Sequence, residues 1–434
     1  MPRKPQHTPL RILLNNRLVG FLLKEPSGAI TFRYDESWLT WNQAAPVSLS
    51  LPLREDAYKG EPVVAVFENL LPDSDRLRQR VAEKVGASGT DAYSLLSRIG
   101  RDCVGALQFV PHDDDAEYDT AQITGEVVGN RKIENLLKSL AQAPLGLDKD
   151  QEFRISVAGA QEKTALLFYD GKWWKPHGTT PTTHIFKTQI GTLPNGIDLS
   201  NSVENEYYCL NMMAAFGLPV NTAKIMVFGK TKVLVVERFD RKWTTEGRLL
   251  RVPQEDCCQA LSVPPSRKYQ NEGGPSMVDI LNLLKASDTP ADDQKMFLKA
   301  QILCWLIGAT DGHAKNFSIF LGPGGRFKMT PLYDVLSAQP SLDARQIVAQ
   351  QMKMAMSVGK NRHFVIAYIE ARHFMQTAER AGLPGAIARE ALGEVARNAE
   401  QAMETVEKQL PNGFPSALHA SVRNGFLSRL KKIG

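Results

Sequence analysis

What this chain holds little of narrows its class before any motif does. Cysteine occurs five times in 434 residues, at positions 103, 209, 257, 258 and 304, an odd number with no C-x-x-C pair. Neither a disulfide framework nor a zinc site is expected, and the thiols read as buried or idle groups of a reducing compartment. Long apolar runs are also missing. The longest, Ile302–Ile307, falls far short of the roughly 20 residues that span a bilayer. The N-terminal MPRKPQHTP is basic, but no apolar stretch follows it, so a secretion signal is not expected. A cytoplasmic protein without membrane contact is the expectation. Charge of one sign is in small excess only: 52 Lys and Arg against 47 Asp and Glu leave +5. That permits nucleic-acid contact without arguing for it. A hydrophobic fraction of 43% supports a large core and two or three domains.

What is present is a change of texture along the chain. Leu10 to Leu14 and Arg17 to Leu23 flank Asn15-Asn16 as a β-hairpin, and Ala29 to Tyr34 follows as a third strand. Pro72 and Asp73 introduce a helix from Ser74 to Val85. Residues 113–150 are polar and acidic and read as a connection with some helix. A second β-rich unit starts near Phe153. Its strands are Ala165 to Tyr169 and Lys172 to Trp174 around Asp170-Gly171, then His184 to Lys187, Ile225 to Val227 and Val233 to Val236. The spacing predicts a helix from Glu204 to Phe216, stopped by Gly217. Beyond Phe239 the chain becomes mainly helical, apart from short pieces near 318–330, with helices at Lys295 to Ile307 and Ala388 to Val406. No internal repeat is visible.

Three segments carry chemistry. In Ser156-Val157-Ala158-Gly159-Ala160-Gln161-Glu162-Lys163, the small residues permit close backbone approach to an anion and Lys163 adds charge. The Walker glycine spacing is absent, and a tight β-turn explains this segment equally well on its own. Lys187 ends the apolar strand HIFK, where a lysine carried inward can neutralise nucleotide phosphates and one carried outward is merely solvated. In GATDGHAKNF, Asp311 and Asn316 are five apart, the Asp-to-Asn spacing of a protein-kinase catalytic loop, and Asp334 in PLYDV follows as a second metal carboxylate. His313 lacks Cys or His partners for a metal site and reads as structural or phosphate-contacting. Glu237-Arg238-Phe239, after an apolar strand, suits either a hinge whose backbone meets adenine or a salt-bridged surface. Protein kinases place these roles in this same order.

These motifs lie in longer stretches, FRISVAGAQEKTALL, YYCL, VERFDR, VPQEDCCQ, GATDGHAKNFS and PLYD, with FENLLPDS and SRIGRDCVGAL ahead of them. Together they resemble the HipA family, the kinase toxins of HipA–HipB toxin–antitoxin systems, over nearly the whole chain. The resemblance implies an α+β, two-lobed protein-kinase-like fold of the phosphoinositide-kinase type, with a β-rich N-terminal half and a mainly helical C-terminal lobe. It implies an N-terminal module over 1–112, a connection over 113–150, the rest of the N-lobe over 151–239 and a C-lobe over 240–434. It implies ATP and Mg²⁺ as cofactors and Asp311 as catalytic base, with Asn316 and Asp334 as metal ligands. The nucleotide contacts it implies are Val157, Ala158, Gly159, Ala160, Gln161, Glu162, Lys163, Lys187, Glu237, Arg238 and Phe239, with His313, Lys315, Asn316, Tyr333 and Asp334. Ser156 matches the family's autophosphorylated serine.

The implied activity is phosphorylation of a protein serine, on glutamyl-tRNA synthetase, which halts translation and brings on dormancy. The implied partners are a dimeric helix-turn-helix antitoxin of the HipB type and its operator DNA, giving partial nucleoid association. A small-molecule or lipid kinase would carry a similar loop, so the acceptor is not fixed by these motifs. A DNA-associated regulatory role finds support in basic residues such as Arg372, His373, Arg423, Arg429, Lys431 and Lys432. The same residues read equally as a solvated helix face and a frayed tail.

Overall fold

In the computed structural model the described residues are 7–113, 122–141, 143–147, 155–156 and 161–433. They fall into two compact units. The first takes residues up to Thr188, Met226–Ser266 and Ile319–Arg326; the second takes Gln189–Ile225, Arg267–Ser318 and the chain from Phe327 on. The first is β-rich and the second mainly helical.

The N-terminal sheet of the first unit has the strand order Tyr58–Lys59, Ile30–Tyr34, Arg17–Lys24, Leu10–Leu14, Leu107–Pro111, antiparallel throughout. Its first hairpin turns on Asn15 and Asn16, at φ 48° and 69°. Asparagine tolerates the left-handed region better than other residues with a Cβ, and two such residues match the twist of the flanking strands. The helix Asp75–Val85 starts where Ser74 accepts a hydrogen bond from Leu77 N and stops at left-handed Gly86. Phe32, Phe67, Phe109 and Trp38 are buried together in this module with Leu95 and Leu96 of the helix Ala92–Ile99. Each such side chain contributes roughly 1.5–3 kcal/mol by leaving water. The second sheet runs Ala223–Phe228, Thr231–Glu237, His184–Thr188, Lys163–Tyr169, Lys172–Pro176, Gly125–Val127. Asp170 and Gly171, at φ 50° and 70°, make its hairpin turn as their sequence predicts.

One feature of this unit has no local sequence signature. Asp102, Arg238, Asp240, Arg241 and Arg251 form an ion cluster in which every side chain is almost completely buried. Asp102 Oδ1 accepts from Arg241 Nη2 at 2.8 Å and Arg251 Nη2 at 3.2 Å. Its Oδ2 accepts from Thr182 N at 3.0 Å, Thr182 Oγ1 at 2.7 Å and Arg238 Nη1 at 3.3 Å. Asp240 takes two bonds from Arg238, at 2.9 and 2.8 Å, and one from Gly105 N at 2.7 Å. Burial alone would raise the Asp102 carboxyl; the guanidiniums of Arg241, Arg238 and Arg251 overcome it and hold it well below the usual carboxylate range.

In the second unit the helix Pro290–Ile307 packs against Met277–Leu284, Ser202–Ala215, Gly385–Gln409 and Ser416–Leu430. The apolar run Ile302–Ile307 is buried in that packing. Among the described residues no helix is long and apolar enough to cross a membrane. All five cysteines are free and buried. Two hairpins interrupt the expected helical stretch, Arg241–Trp243 with Leu249–Arg251 in the first unit and Lys353–Val358 with His363–Val365 in the second. The second misleads by composition: Lys, Met and Ala favour helix, and only pairing makes KMAMSV a strand. The basic C-terminal residues need correction too. Arg429 is no frayed tail: it is buried, donating to Leu306 O at 2.9 Å and Gln339 Oε1 at 2.7 Å. His373 is buried and accepts from Glu370 N at 3.1 Å, whereas Arg372 is exposed and paired with Glu370 at 2.9 Å.

Glu255 supplies a pH test of the first unit. It is fully buried, accepts from Leu49 N at 2.8 Å, and burial pushes its carboxyl up to about 8. The unfolded chain releases that proton near the ordinary value of about 4.3. The folded state therefore binds the extra proton between the two values. Its stability advantage is complete below the lower one and is lost as pH rises to the upper one. Urea denaturation should show the wild-type midpoint falling between pH 5 and pH 8.5. Glu255→Gln, which keeps an acceptor for Leu49, should lack that fall. Parallel pH profiles for the two proteins would contradict this account.

Candidate active site

The predicted catalytic loop grows from the end of the helix Pro290–Ile307. Gly308 caps it at φ 79°, a left-handed conformation in which a residue with a Cβ would be strained. The chain then turns through a short 3₁₀ helix, Ala314–Asn316, into the strand Ser318–Leu321. His313 N donates to Asp311 O at 2.8 Å and Asn316 N to His313 O at 2.9 Å, which tightens the turn around the Asp–Asn pair.

A pocket of the second unit is lined by Asp311, Gly312, Asn316, Tyr333 and Asp334 over apolar residues that include Met213 and Phe317. The structure thus brings together the three residues singled out for base and metal chemistry. Asn316 is buried and its Nδ2 donates to Asp334 O at 3.1 Å, which leaves its Oδ1 as a ligand oxygen. Asp334 sits at φ 59°, an uncommon conformation for a residue with a Cβ, of the kind that collects at functional sites. Two oxygen-bearing side chains in a half-open pocket fit Mg²⁺, which keeps waters and substrate phosphates in its remaining positions. Among the described residues no group of three or more His, Cys, Asp or Glu forms a metal cage. Tyr333 donates to Lys315 O at 2.8 Å, so the hydroxyl of Ser318, 2.5 Å away, donates to Tyr333. His313 and Lys315 are both buried beneath the loop.

Two residues of this site carry no sequence signal. Asn205, buried in the helix Ser202–Ala215, donates to Ser337 O at 2.8 Å and accepts from Ser337 N at 2.9 Å. Ser337 Oγ in turn donates to Ile307 O at 2.7 Å. The segment carrying Asp334 and the end of the helix carrying Asp311 are therefore tied at one point. Tyr269 donates its hydroxyl to Asp311 Oδ1 and packs edge-on against His313 at 4.9 Å.

The predicted nucleotide-side residues belong to the first unit. Lys187 and Lys163 stand directly opposite on paired strands, both largely buried, which concentrates positive charge on one face. Gln161 donates to Thr188 O at 2.7 Å, and Glu162 pairs with Arg80 at 3.2 Å. Val157, Ala158, Gly159 and Ala160 lie outside the described residues. Glu237 is exposed at the end of its strand, Phe239 meets Phe320 edge-on at 5.6 Å, and Arg238 turns into the ion cluster. Arg238 N donates to Thr183 O at 2.8 Å. Ser156 is fully buried; its Oγ donates to Leu70 O at 2.7 Å and its N to Asp102 O at 3.0 Å.

Residues 155–403 match the HipA-like C-terminal domain and residues 10–110 the HipA N-terminal domain. The provisionally named kinase Y4mE of Sinorhizobium fredii is 35% identical over 380 residues, covering 86% of each chain. The serine/threonine-protein kinase toxin HipA of Shewanella oneidensis is 29% identical over 387 residues, covering 86% of this chain and 83% of that one. A solved structure from Shewanella oneidensis MR-1, of HipA with HipB and operator DNA, aligns with a TM-score of 0.81 at 25% identity, over 97% of this chain and 96% of that one. That likeness bears out the expected kinase-like α+β fold.

The Asn205 tie yields a direct test. Asn205→Ala leaves the Ser337 amide and carbonyl buried without their partner, at a cost of about 1–3 kcal/mol. Denaturant titration should show that loss. Hydrogen exchange should quicken at residues 334–339 and leave the N-terminal sheet unaffected. Unchanged exchange at Ser337 would show that the tie holds nothing in place.

Proposed function

The chain belongs to the HipA family of kinase toxins, and on that premise we propose that it transfers the γ-phosphate of ATP to a serine of a protein. The observation that carries the reading is the convergence of Asp311, Asn316 and Asp334 in one pocket. In this reading Asp311, whose side chain is about half exposed, takes the proton of the acceptor hydroxyl. The serine oxygen then bonds to the γ-phosphorus as the bond to the β-phosphate oxygen breaks, and ADP leaves. Asn316 and Asp334 would hold Mg²⁺, which when bound neutralises phosphate charge. Lys187 and Lys163 would bind the nucleotide phosphates, as would residues 157–163 on the family resemblance. Glu237 to Phe239 would meet adenine through the backbone, since the Arg238 side chain is held in the ion cluster.

The finer reading keeps the assignments the family suggests. The acceptor is a protein of translation, with glutamyl-tRNA synthetase the first candidate, and its modification halts protein synthesis. A HipB-type dimer and operator DNA are the proposed partners, a reading supported by the likeness to the solved Shewanella HipA, HipB and operator DNA complex; the chain would then work in the cytoplasm and in part at the nucleoid. The boundaries 1–112, 113–150, 151–239 and 240–434 stand as proposed domains. Ser156 is the proposed autophosphorylation site. Its hydroxyl is sealed against Leu70 O, so a phosphate of charge roughly −1.5 to −2 has no room there and the segment must leave to carry one. The phosphorylated form would be folded and silent.

Asp311→Asn keeps shape and removes the proton acceptor. Transfer from radiolabelled ATP to host protein should fall by about a hundredfold to ten-thousandfold. Calorimetric binding of Mg-ATP should persist. Near-normal transfer by a folded Asp311→Asn protein would reject Asp311 as the base.

A further inference from the structure

Asp311 already has a hydroxyl in front of it. Tyr269 donates its phenol O–H to Asp311 Oδ1, which is the hydrogen bond an acceptor hydroxyl must make with a catalytic base. On this ground we infer that Tyr269 occupies the acceptor position of the enzyme itself and acts as a gate that a substrate serine must displace. The inference rests on the reading of Asp311 as the base.

The surroundings of Tyr269 say which part of it moves. Its backbone carbonyl accepts from Glu272 N at 3.0 Å and Gly274 N at 2.9 Å. The next residue, Gln270, is buried and its Oε1 accepts from Ser357 N at 2.7 Å. Gly274 has no room for a side chain, since a Cβ there would lie 2.1 Å from Arg267 O. The backbone of 267–274 is therefore pinned to the second unit. The ring packs edge-on against His313 at 4.9 Å, lies 5.4 Å from Lys268 Nζ and is only partly buried. Rotation of the side chain frees Asp311 without unfolding the loop.

Reach makes the gate selective. A phenol oxygen lies a whole ring beyond its Cα atom, whereas a serine oxygen lies one carbon beyond. A serine that takes the place of the phenol oxygen brings substrate backbone into the volume of the ring, so ring and substrate exclude each other. The acceptor class that fits is a serine on an exposed, extended segment of a protein. Occupation of the site by Tyr269 lowers apparent acceptor affinity by the fraction of time the gate is open.

The test uses the full chain with Tyr269→Phe, which removes the hydroxyl that ties the ring to Asp311, so that an incoming substrate displaces the ring more readily. With dephosphorylated casein as a serine acceptor and radiolabelled Mg-ATP, KM for casein should fall about fivefold or more, with KM for ATP unchanged. With no protein present, hydrolysis of ATP by water should be faster than in the wild type. Equal KM for casein and equal hydrolysis in the two proteins would overturn the gate. So would a fall in kcat at unchanged KM, which would make Tyr269 a support for Asp311 instead. Asp311→Asn in parallel separates the two claims. If it is silent while Tyr269→Phe matches wild type, only the gate fails; if it retains transfer, the base assignment fails and the gate with it.

Discussion

The carboxylate of Asp102 is the fixed point of the first unit. It stands at the end of the N-terminal module, and three guanidiniums from the segment 238–251 converge on it or on Asp240 beside it. None of these charges is stable alone in so dry a place, because each would keep its full desolvation cost without its partner. Their assembly therefore fixes geometry as well as charge. The backbone carbonyl of Asp102 receives Ser156 N, its side chain receives Thr182 N, and Arg238 N closes onto Thr183 O. One residue thus sets the proposed switch serine, the edge of the lysine-bearing sheet and the proposed hinge against one another. The N-terminal module is in this way tied to the strand that carries Lys187 and to the segment that follows Glu237.

The second unit holds the Asp311 carboxylate half exposed at the end of a buried helix. The helix Pro290–Ile307 is buried along most of its length, and Gly308 turns the chain sharply out of it. Arg429 satisfies a carbonyl in the last turn, and Asn205 ties the segment after Asp334 to the same place through Ser337. Asn316, His313 and Lys315 are buried under the loop, and Asp311 is left half exposed. Asp334 keeps a left-handed backbone, φ 59°, and its carbonyl accepts from Asn316 Nδ2.

Much of this was legible in the sequence where the signal is local. Asn15-Asn16, Asp170-Gly171, Ser74 and Gly217 each announce a turn, start or stop through their own backbone preferences, and the structure places those features there. Of the candidate site, Asp311 and Asn316 were legible through their kinase-like spacing and Asp334 through PLYDV, and one pocket holds all three. The ion cluster was not legible. Asp102 lies 136 residues from Arg238 and 149 from Arg251, and each residue read alone is an ordinary surface charge. Asn205 and Tyr269 escaped for the same reason, since nothing beside them in the chain shows what they reach. Arg429 was misread because a basic C-terminal end resembles a tail until the carbonyl it serves is seen.

Hydrogen exchange of Asp102→Asn against wild type tests most directly the claim that this cluster couples the N-terminal module to the hinge. The account predicts that the amides of Ser156, Thr182 and Arg238 lose protection together, while the strands Leu10–Leu14 and Leu107–Pro111 keep theirs. Loss confined to Thr182, with Ser156 and Arg238 as protected as in the wild type, would contradict it.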